Sequence, residues 1–325
     1  MKNRSNDVLL IYPRYRYWLA SSLEEPLGLI YVATAARLAG WNVKLVDLTF
    51  EKNLSKIEAA LDNGLIAAAM SVTTPLLDPA IEVLDFIKKR RPSLPVIMGG
   101  PHCAALPGDG LDRGFDYLLT GEGEQAFVSL LEGIRKGDTS EVKGVTSRGP
   151  DGTLRGQPPE PIPDLDAIPF PDRSYLDYGR YEKVGLITMR GCPFHCYFCK
   201  PMQDKIFGNK IRRRSPDNVV QEVAGIVRLL GNRIIHFRDD TFTLGTPAWF
   251  VRFRDLIRQS LPGGIHFHCS SRVDQVNEEK MRLIKEAGCC QIFFGVESGS
   301  QKILDFYRKG TTPEQAVDAF RLCRK

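Results

Sequence analysis

Residues 190–199 read Arg190-Gly191-Cys192-Pro193-Phe194-His195-Cys196-Tyr197-Phe198-Cys199, three cysteines spaced C-x3-C-x2-C. Positions i, i+4 and i+7 also share one face of a helix, but Gly191 and Pro193 oppose a helix here, and a helical face has no need of thiols. A structural zinc site would use ligand pairs from two separate knuckles. No second knuckle is visible, although His195 is available as a fourth ligand. An iron–sulfur cluster on one loop suits the spacing best. Four cysteines close a cluster for electron transfer; three leave one iron open to a substrate or cofactor, as a catalytic zinc keeps one open position.

The loop follows an apolar run at 186–189, and a βα rhythm continues behind it. Strands are expected at 234–237, 266–270 and 291–296, with helices starting at Ser215-Pro216, Thr246-Pro247, Asn277 and Thr312-Pro313. Gln315 stands three residues after Thr312, a capping-box pattern. About four βα units over 184–325 predict part of an α/β barrel, whose chemistry gathers at the C-terminal strand ends. Residues 141–183 are dense in Pro and Gly without helical period and read as an inter-domain connector. Residues 1–140 alternate apolar runs (8–12, 43–47, 66–72, 96–98, 117–120) with helical patterns. The runs are nearly continuous in apolar residues, as in strands covered on both faces. Residues 27–38 form a helix that runs into Gly40. Asp78-Pro79 offers a cap and a first helical Pro, and Lys88-Lys89-Arg90 closes that helix before Pro92. This predicts an open, doubly wound parallel sheet whose ligand lies beyond the C-terminal strand ends.

Those strand ends carry Ser71-Val72-Thr73, Gly99-Gly100-Pro101-His102 and Gly121-Glu122-Gly123-Glu124. Glycines there let a backbone approach a flat or phosphate-bearing ligand; a tight turn is the alternative for Gly99-Gly100. Gly121, Gly123 and Ala126 also fit G-x-G-x-x-A, but that fingerprint belongs on the first strand, and Glu122 and Glu124 would face the pyrophosphate. The two glutamates read instead as charges at a helix N-terminus. His266 and His268 alternate along one strand and are expected to fill the barrel. Cys269, Cys289, Cys290 and Cys323 are expected in the core, and the basic run 210–214 on a solvated or domain-facing stretch.

The 325 residues, 43% hydrophobic and 26% charged, set an expectation of about two globular domains. The net charge of +5 is too diffuse to argue for nucleic acid. The N-terminal apolar run is too short for a signal core or a membrane span. Seven of eight cysteines follow Leu186 without the spacing of a secreted framework, so a reducing, cytoplasmic setting is expected.

From Gly185 onward the sequence resembles the radical S-adenosylmethionine (SAM) superfamily. Cys192, Cys196 and Cys199 match its C-x3-C-x-aromatic-C motif, with Phe198 in the aromatic position. The resemblance implies a 4Fe-4S cluster on these three cysteines, with its open iron chelating the amino and carboxylate groups of SAM. One electron then cleaves SAM to methionine and a 5′-deoxyadenosyl radical. It further implies that Asp239 or Asp240 meets the amino group of SAM, although the family's Gly-Gly-Glu segment is absent. Arg272 would meet the carboxylate through two parallel hydrogen bonds. Glu297, with Ser298 beside it, would accept from the ribose hydroxyls.

The domain in front resembles the cobalamin-binding, Rossmann-like domain of cobalamin-dependent radical SAM enzymes. Ser71, Thr73, Gly99, Gly100 and His102 match segments that wrap the nucleotide tail of cobalamin, and Gly121 and Gly123 the end of that pattern. The cobalt-ligating D-x-H-x-x-G segment is absent, and the loop 13–26 holds no His, as is common in the radical SAM branch. The family's barrel usually has six strands, so the last two are expected to be missing. Methyl transfer to an unactivated carbon or phosphorus is the leading implication, with cobalamin as methyl carrier. Radical cyclisation or rearrangement, and a non-catalytic cobalamin- or iron–sulfur-binding protein, are the other readings. A small-molecule substrate and an electron donor such as flavodoxin or ferredoxin are the implied partners.

Overall fold

Successive side chains of a strand point to opposite faces, and along residues 8–11 both faces are apolar. Leu9 and Ile11 enter one core, Val8 and Leu10 another. A computed structural model describes residues 6–15, 24–231 and 234–324, so part of the loop 13–26, expected to carry no cobalt ligand, lies outside the described residues. The chain divides into two compact units. The first comprises the described residues of Met1–Ser21, Pro26–Ile162 and Pro169–Asp177, and the second those of Ser22–Glu25, Pro163–Ile168 and Tyr178–Lys325.

In the first unit β1 (Asp7–Tyr12), β2 (Asn42–Asp47), β3 (Leu65–Ser71), β4 (Val96–Gly99) and β5 (Tyr117–Leu119) pair in parallel in the order β2-β1-β3-β4-β5. Helices α1 (Leu27–Leu38) and α6 (Gly123–Lys136) cover the face of Val8 and Leu10. Helices α2 (Ser55–Ala60), α3 (Leu77–Arg90), α4 (Pro101–Ala105) and α5 (Asp109–Asp112) cover the other. This order reverses between β1 and β3, which places the crevice of a doubly wound sheet at their C-terminal ends.

Two expectations need correction here. The connector expected over 141–183 contributes β6 (Val145–Arg148) and β7 (Leu154–Gly156), an antiparallel hairpin that extends the first sheet past β5. Its turn is built at Asp151-Gly152, with Gly152 at φ 78°. In α3, Leu76 rather than Asp78 occupies the cap, because a 3-10 turn over Thr74–Leu76 already starts the chain winding.

Gly100 illustrates why the strand ends need glycine. Its φ is 99°, and a Cβ there would stand 2.8 Å from both the N and the O of Val72. Gly100→Ala is therefore expected to cost about 1–3 kcal/mol, read as a lowered thermal midpoint against wild type.

The second unit holds a parallel sheet in the order β13-β12-β11-β8, made of β8 (Val184–Leu186), β11 (Ile234–Phe237), β12 (His266–Ser271) and β13 (Cys289–Phe294). The strand expected at 186–189 is split. After β8 the chain turns away as β9 (Met189–Arg190), paired antiparallel with β10 (Arg212–Arg213). The Asp239 carboxylate accepts the N–H groups of Thr188 and Met189, which gives those donors a partner off the ladder. Helices α7 (Lys200–Phe207), α8 (Pro216–Leu230), α9 (Pro247–Ser260), α10 (Glu278–Glu286), α11 (Gln301–Phe306) and α12 (Pro313–Arg324) complete the unit. Ser215, Thr246 and Asn277 cap their helices through the side chain, and Thr312 and Gln315 bond reciprocally.

Candidate functional site

The cysteine loop is shaped by its backbone rather than by its thiols. Gly191 lies at φ 88°, and a Cβ there would meet the Lys210 carbonyl oxygen at 2.3 Å, so only glycine passes β10 at this distance. Lys200 Nζ donates to the Cys192 carbonyl at 2.9 Å, the N–H of Lys200 to the Cys196 carbonyl at 2.9 Å, and the N–H of Tyr197 to the Tyr307 carbonyl at 2.8 Å. All three thiols line one cleft of about 360 Å³ at the C-terminal strand ends. Burial pushes the Cys192 and Cys199 thiols up, and the carboxylate of Asp240 adds to this. Among the described residues no three His, Cys, Asp or Glu side chains converge on a single-ion site, while Cys192, Cys196 and Cys199 all line the cleft.

The cleft brings together Phe198, Asp240, Arg272 and Glu297 of the residues expected there. Phe198 is half exposed and meets Tyr307 edge-on at 5.4 Å. Asp240 accepts from Gln203 at 3.0 Å, and its pKa is raised to about 6 by desolvation and by Asp239 beside it. Asp239 is not a cleft residue. It is buried beneath, holding Thr188 and Met189, which separates the two aspartates that the sequence left equivalent. Glu297, at φ 64°, pairs with Lys309 Nζ at 2.9 Å. Ser298 does not line the cleft; its hydroxyl accepts from the N–H of Ser300.

Arg272 departs most from expectation. Its paired hydrogen bonds go to Asp274, both at 2.9 Å, while Nη2 also donates to the Lys309 carbonyl at 2.6 Å. The remaining Nη1 reaches the Cys196 sulfur at 3.5 Å, and the guanidinium stacks 3.7 Å over the Phe194 ring. It is thus held by Asp274 and directed at the Cys196 thiol within the cleft. Sequence reading missed Gln203, Lys309, Phe194 and Phe293, since their place in the cleft depends on tertiary packing and no motif marks them.

In the first unit, Ser71 ends β3 and Thr73 opens the 3-10 turn, both at the sheet's reversal point beside Gly99. Gly100 passes close against the Val72 backbone, which is hydrogen-bonded by its neighbours Gly99 and His102. Gly121 turns the chain at φ 80°, and Gly123 lets α6 close on α1, where a Cβ would meet Val32 at 2.8 Å. His102 is turned inward: 1% exposed, it bridges Thr74 and Asp109, each at 3.1 Å. Glu122 sits at the cap of α6, but its carboxylate accepts the N–H of Ile162 instead of capping the helix.

Other expectations change as well. The basic run is exposed at Lys210 and turns inward only towards its end. Arg213 lies 4.2 Å from the Trp249 ring and donates to the Phe242 carbonyl at 2.5 Å, and buried Arg214 pairs with Glu222 at 2.6 Å. Cys269 is core, but on β13, an edge strand among the described residues, Cys289 is only partly buried and Cys290 is exposed; Cys323 on α12 and His266 at the start of β12 are exposed as well.

On β11, His236 Nδ1 meets Glu24 at 2.9 Å, and Arg238 pairs with both Glu24 and Glu25. The hydrogen bond from His236, with the charges of Arg238 and Lys183, lowers the pKa of Glu24 from 4.5 to about 2 despite partial burial. A depressed carboxylate stabilises the fold above the unfolded value, and that contribution is lost as pH falls from about 4.5 towards 2. Glu24→Gln is expected to flatten the acid limb of stability against pH in that window, followed by urea denaturation.

A parallel α/β sheet with three thiols on the loop after its first strand, preceded in the chain by a doubly wound unit, defines the class: a two-domain α/β protein of radical SAM type. Residues 186–325 match the Radical SAM superfamily and residues 20–131 the B12 binding domain. The chain is 34% identical over 315 residues to an uncharacterized methyltransferase of Pyrococcus horikoshii, covering 92% of this chain and 66% of the relative. It is 25% identical over 340 residues to the anaerobic magnesium-protoporphyrin IX monomethyl ester cyclase of Cereibacter sphaeroides, covering 98% and 55%. Among solved structures it is similar to the radical SAM methyltransferase TsrM of Kitasatospora setae, bound to cobalamin and a [4Fe-4S] cluster. That match has a TM-score of 0.81 at 20% identity, over 98% of this chain and 65% of that one. The chain belongs to the radical SAM superfamily and carries a B12-binding domain ahead of its radical SAM domain. It spans about half to two thirds of the length of these relatives.

Proposed function

We propose that the chain is the cobalamin-binding and radical SAM part of a cytoplasmic enzyme that methylates an unactivated centre of a small molecule, with electrons from a flavodoxin or ferredoxin. The observation that carries this is the set of three thiols along one cleft, with Asp240 and Glu297 in the same cleft. The donor set fits a cluster: soft thiolates suit iron–sulfur ligation, and all three cysteines line the one cleft. In the first unit the reversal between β1 and β3, with Ser71, Thr73 and Gly99 at it, fits a large flat cofactor; His102, being internal, is not among its contacts.

When bound, the cluster supplies the electron that cleaves SAM, and cobalamin the methyl group. The chain's own residues position and shield. Cys192, Cys196 and Cys199 hold the cluster, and Arg272 offsets charge at Cys196. Asp240 accepts from the amino group of SAM, and Glu297, steadied by Lys309, from the ribose hydroxyls. Phe194 and Phe198 keep water from the cleft.

The test is anaerobic reconstitution with iron and sulfide, an absorption spectrum, and analysis of SAM products. Methyl transfer predicts S-adenosylhomocysteine together with 5′-deoxyadenosine. Cyclisation is the second reading, favoured by the cyclase relative that aligns over 98% of this chain, and predicts 5′-deoxyadenosine alone. A colourless protein that takes up only zinc overturns both.

A further inference from the structure

Among the described residues, the face of the second sheet turned away from α8 and α9 is not filled as a barrel interior usually is. Bulky branched residues normally close that space. Here the row across β8, β11, β12 and β13 is Gly185, His236, His268 and Gln291, in register. Phe293 stands two residues beyond Gln291 on the same side and is 43% exposed. The opposite face, through Ile235, Phe237, Phe267 and Cys269, is fully buried.

The two imidazoles flank the Phe293 ring, each with its centroid 6.1 Å away. His236 is satisfied by Glu24, and Arg238 is shared between Glu24 and Glu25. His268 is different. It is 8% exposed, and its Nδ1 is sealed from solvent with no hydrogen-bond partner among the described residues. A buried polar atom left unpaired is costly and calls for a reason. Desolvation, with the charges of Lys183 and His236 behind it, holds its pKa down. Phe293 also lines the cysteine cleft, which makes the histidine wall and the cleft one continuous surface.

We infer that this wall seats the substrate, a small molecule with an oxyanion, carboxylate or phosphoryl, against His268 and a flat or apolar body on Phe293. The assignment rests on reading the cysteine cleft as the place where the substrate is activated. His268 and Phe293 are then the groups that orient it.

The full chain, labelled with 15N-histidine, is titrated with phenylacetate and with phenylphosphonate, benzyl alcohol serving as the neutral arm. At least one anion is expected to shift the His268 ring nitrogens saturably, and benzyl alcohol to leave them still. Whichever anion binds tighter identifies the oxyanion. Phe293→Ala, in which His268 remains, is expected to weaken the anion at least tenfold, and His268→Gln to abolish saturable anion binding followed by isothermal titration calorimetry, with circular dichroism checking the fold. Silence of His268 to both anions, or unchanged affinity in Phe293→Ala, overturns the inference. The same protein is reconstituted in parallel. Anion binding in a protein that stays colourless sinks the proposed function and keeps the wall, whereas a brown, SAM-cleaving protein with a silent His268 sinks the wall alone.

Discussion

Cys192→Ser, Cys196→Ser and Cys199→Ser are each expected to give a folded protein that no longer turns brown on reconstitution and cleaves SAM at background level. Folding survives because the bonds that shape the loop use main-chain groups. The Cys192 and Cys196 carbonyls accept from Lys200, and Tyr197 donates from its backbone to Tyr307. A serine leaves every one of these in place. What it removes is a soft ligand, and with only three thiols on the loop there is no spare. The controls are Cys290→Ser and Cys323→Ser, exposed and outside the cleft. Both should bind iron like wild type. Iron and sulfide content per chain is the direct measure, with thermal melting to verify folding. Full iron loading in any of the three loop variants would show that the loop is not the cluster site.

The cysteine loop was legible in the sequence because its information is local: spacing, a flanking glycine and a proline. The same holds for the helix starts of the second unit, where Ser215, Asn277 and the Thr312–Gln315 pair bond within three residues of themselves. The alternating cores of β1 were readable as a continuous apolar run, since each face needs its own hydrophobic set. The hairpin over 145–156 was overlooked although Asp151-Gly152 signals one, because the Pro content around it resembles a linker. Polar residues were the harder part. Whether Asp239 or Asp240 faces the cleft depends on where Thr188 and Met189 turn off the first strand, fifty residues earlier in the chain. Arg272 is captured by Asp274, two residues away, and a charged pair so close in sequence can equally well be split towards solvent. His102 is drawn inward by Asp109, which a short helix places under it. A side chain's residue type fixes its chemistry, and the packing of distant elements fixes what it meets.

The basic run shows how far packing can override composition, and it carries the second large effect. Arg213→Leu is expected to destabilise the second unit by about 3–5 kcal/mol, the range for breaking a buried charged network, and to lower its melting temperature by on the order of 10 °C. The guanidinium stacks on Trp249 at 4.2 Å and lies within 5.6 Å of the Phe242 and Phe250 rings. It donates to the carbonyls of Leu244 and Phe242 and to the Thr188 hydroxyl, which in turn donates to Asp239. Gly245 makes the space, since a Cβ there would meet Nη1 at 2.1 Å. Burial pushes the Arg213 pKa down to about 10 and Asp239 up, while their attraction and the three hydrogen bonds donated to Asp239 favour the charged forms. Leucine would therefore leave two carbonyls unpaired and a buried carboxylate without its countercharge. Arg213→Lys should recover only a small part, because one ammonium cannot serve three acceptors on the face of an indole as a planar fork does. Lys210→Ala, on the exposed end of the same run, is expected to stay within about 0.5 kcal/mol of wild type. Urea denaturation of the three variants decides the matter. If Arg213→Leu unfolds at the wild-type midpoint, the run is the solvated stretch its composition suggests, and the network joining Asp239 to α9 contributes nothing to the platform beneath the cysteine loop.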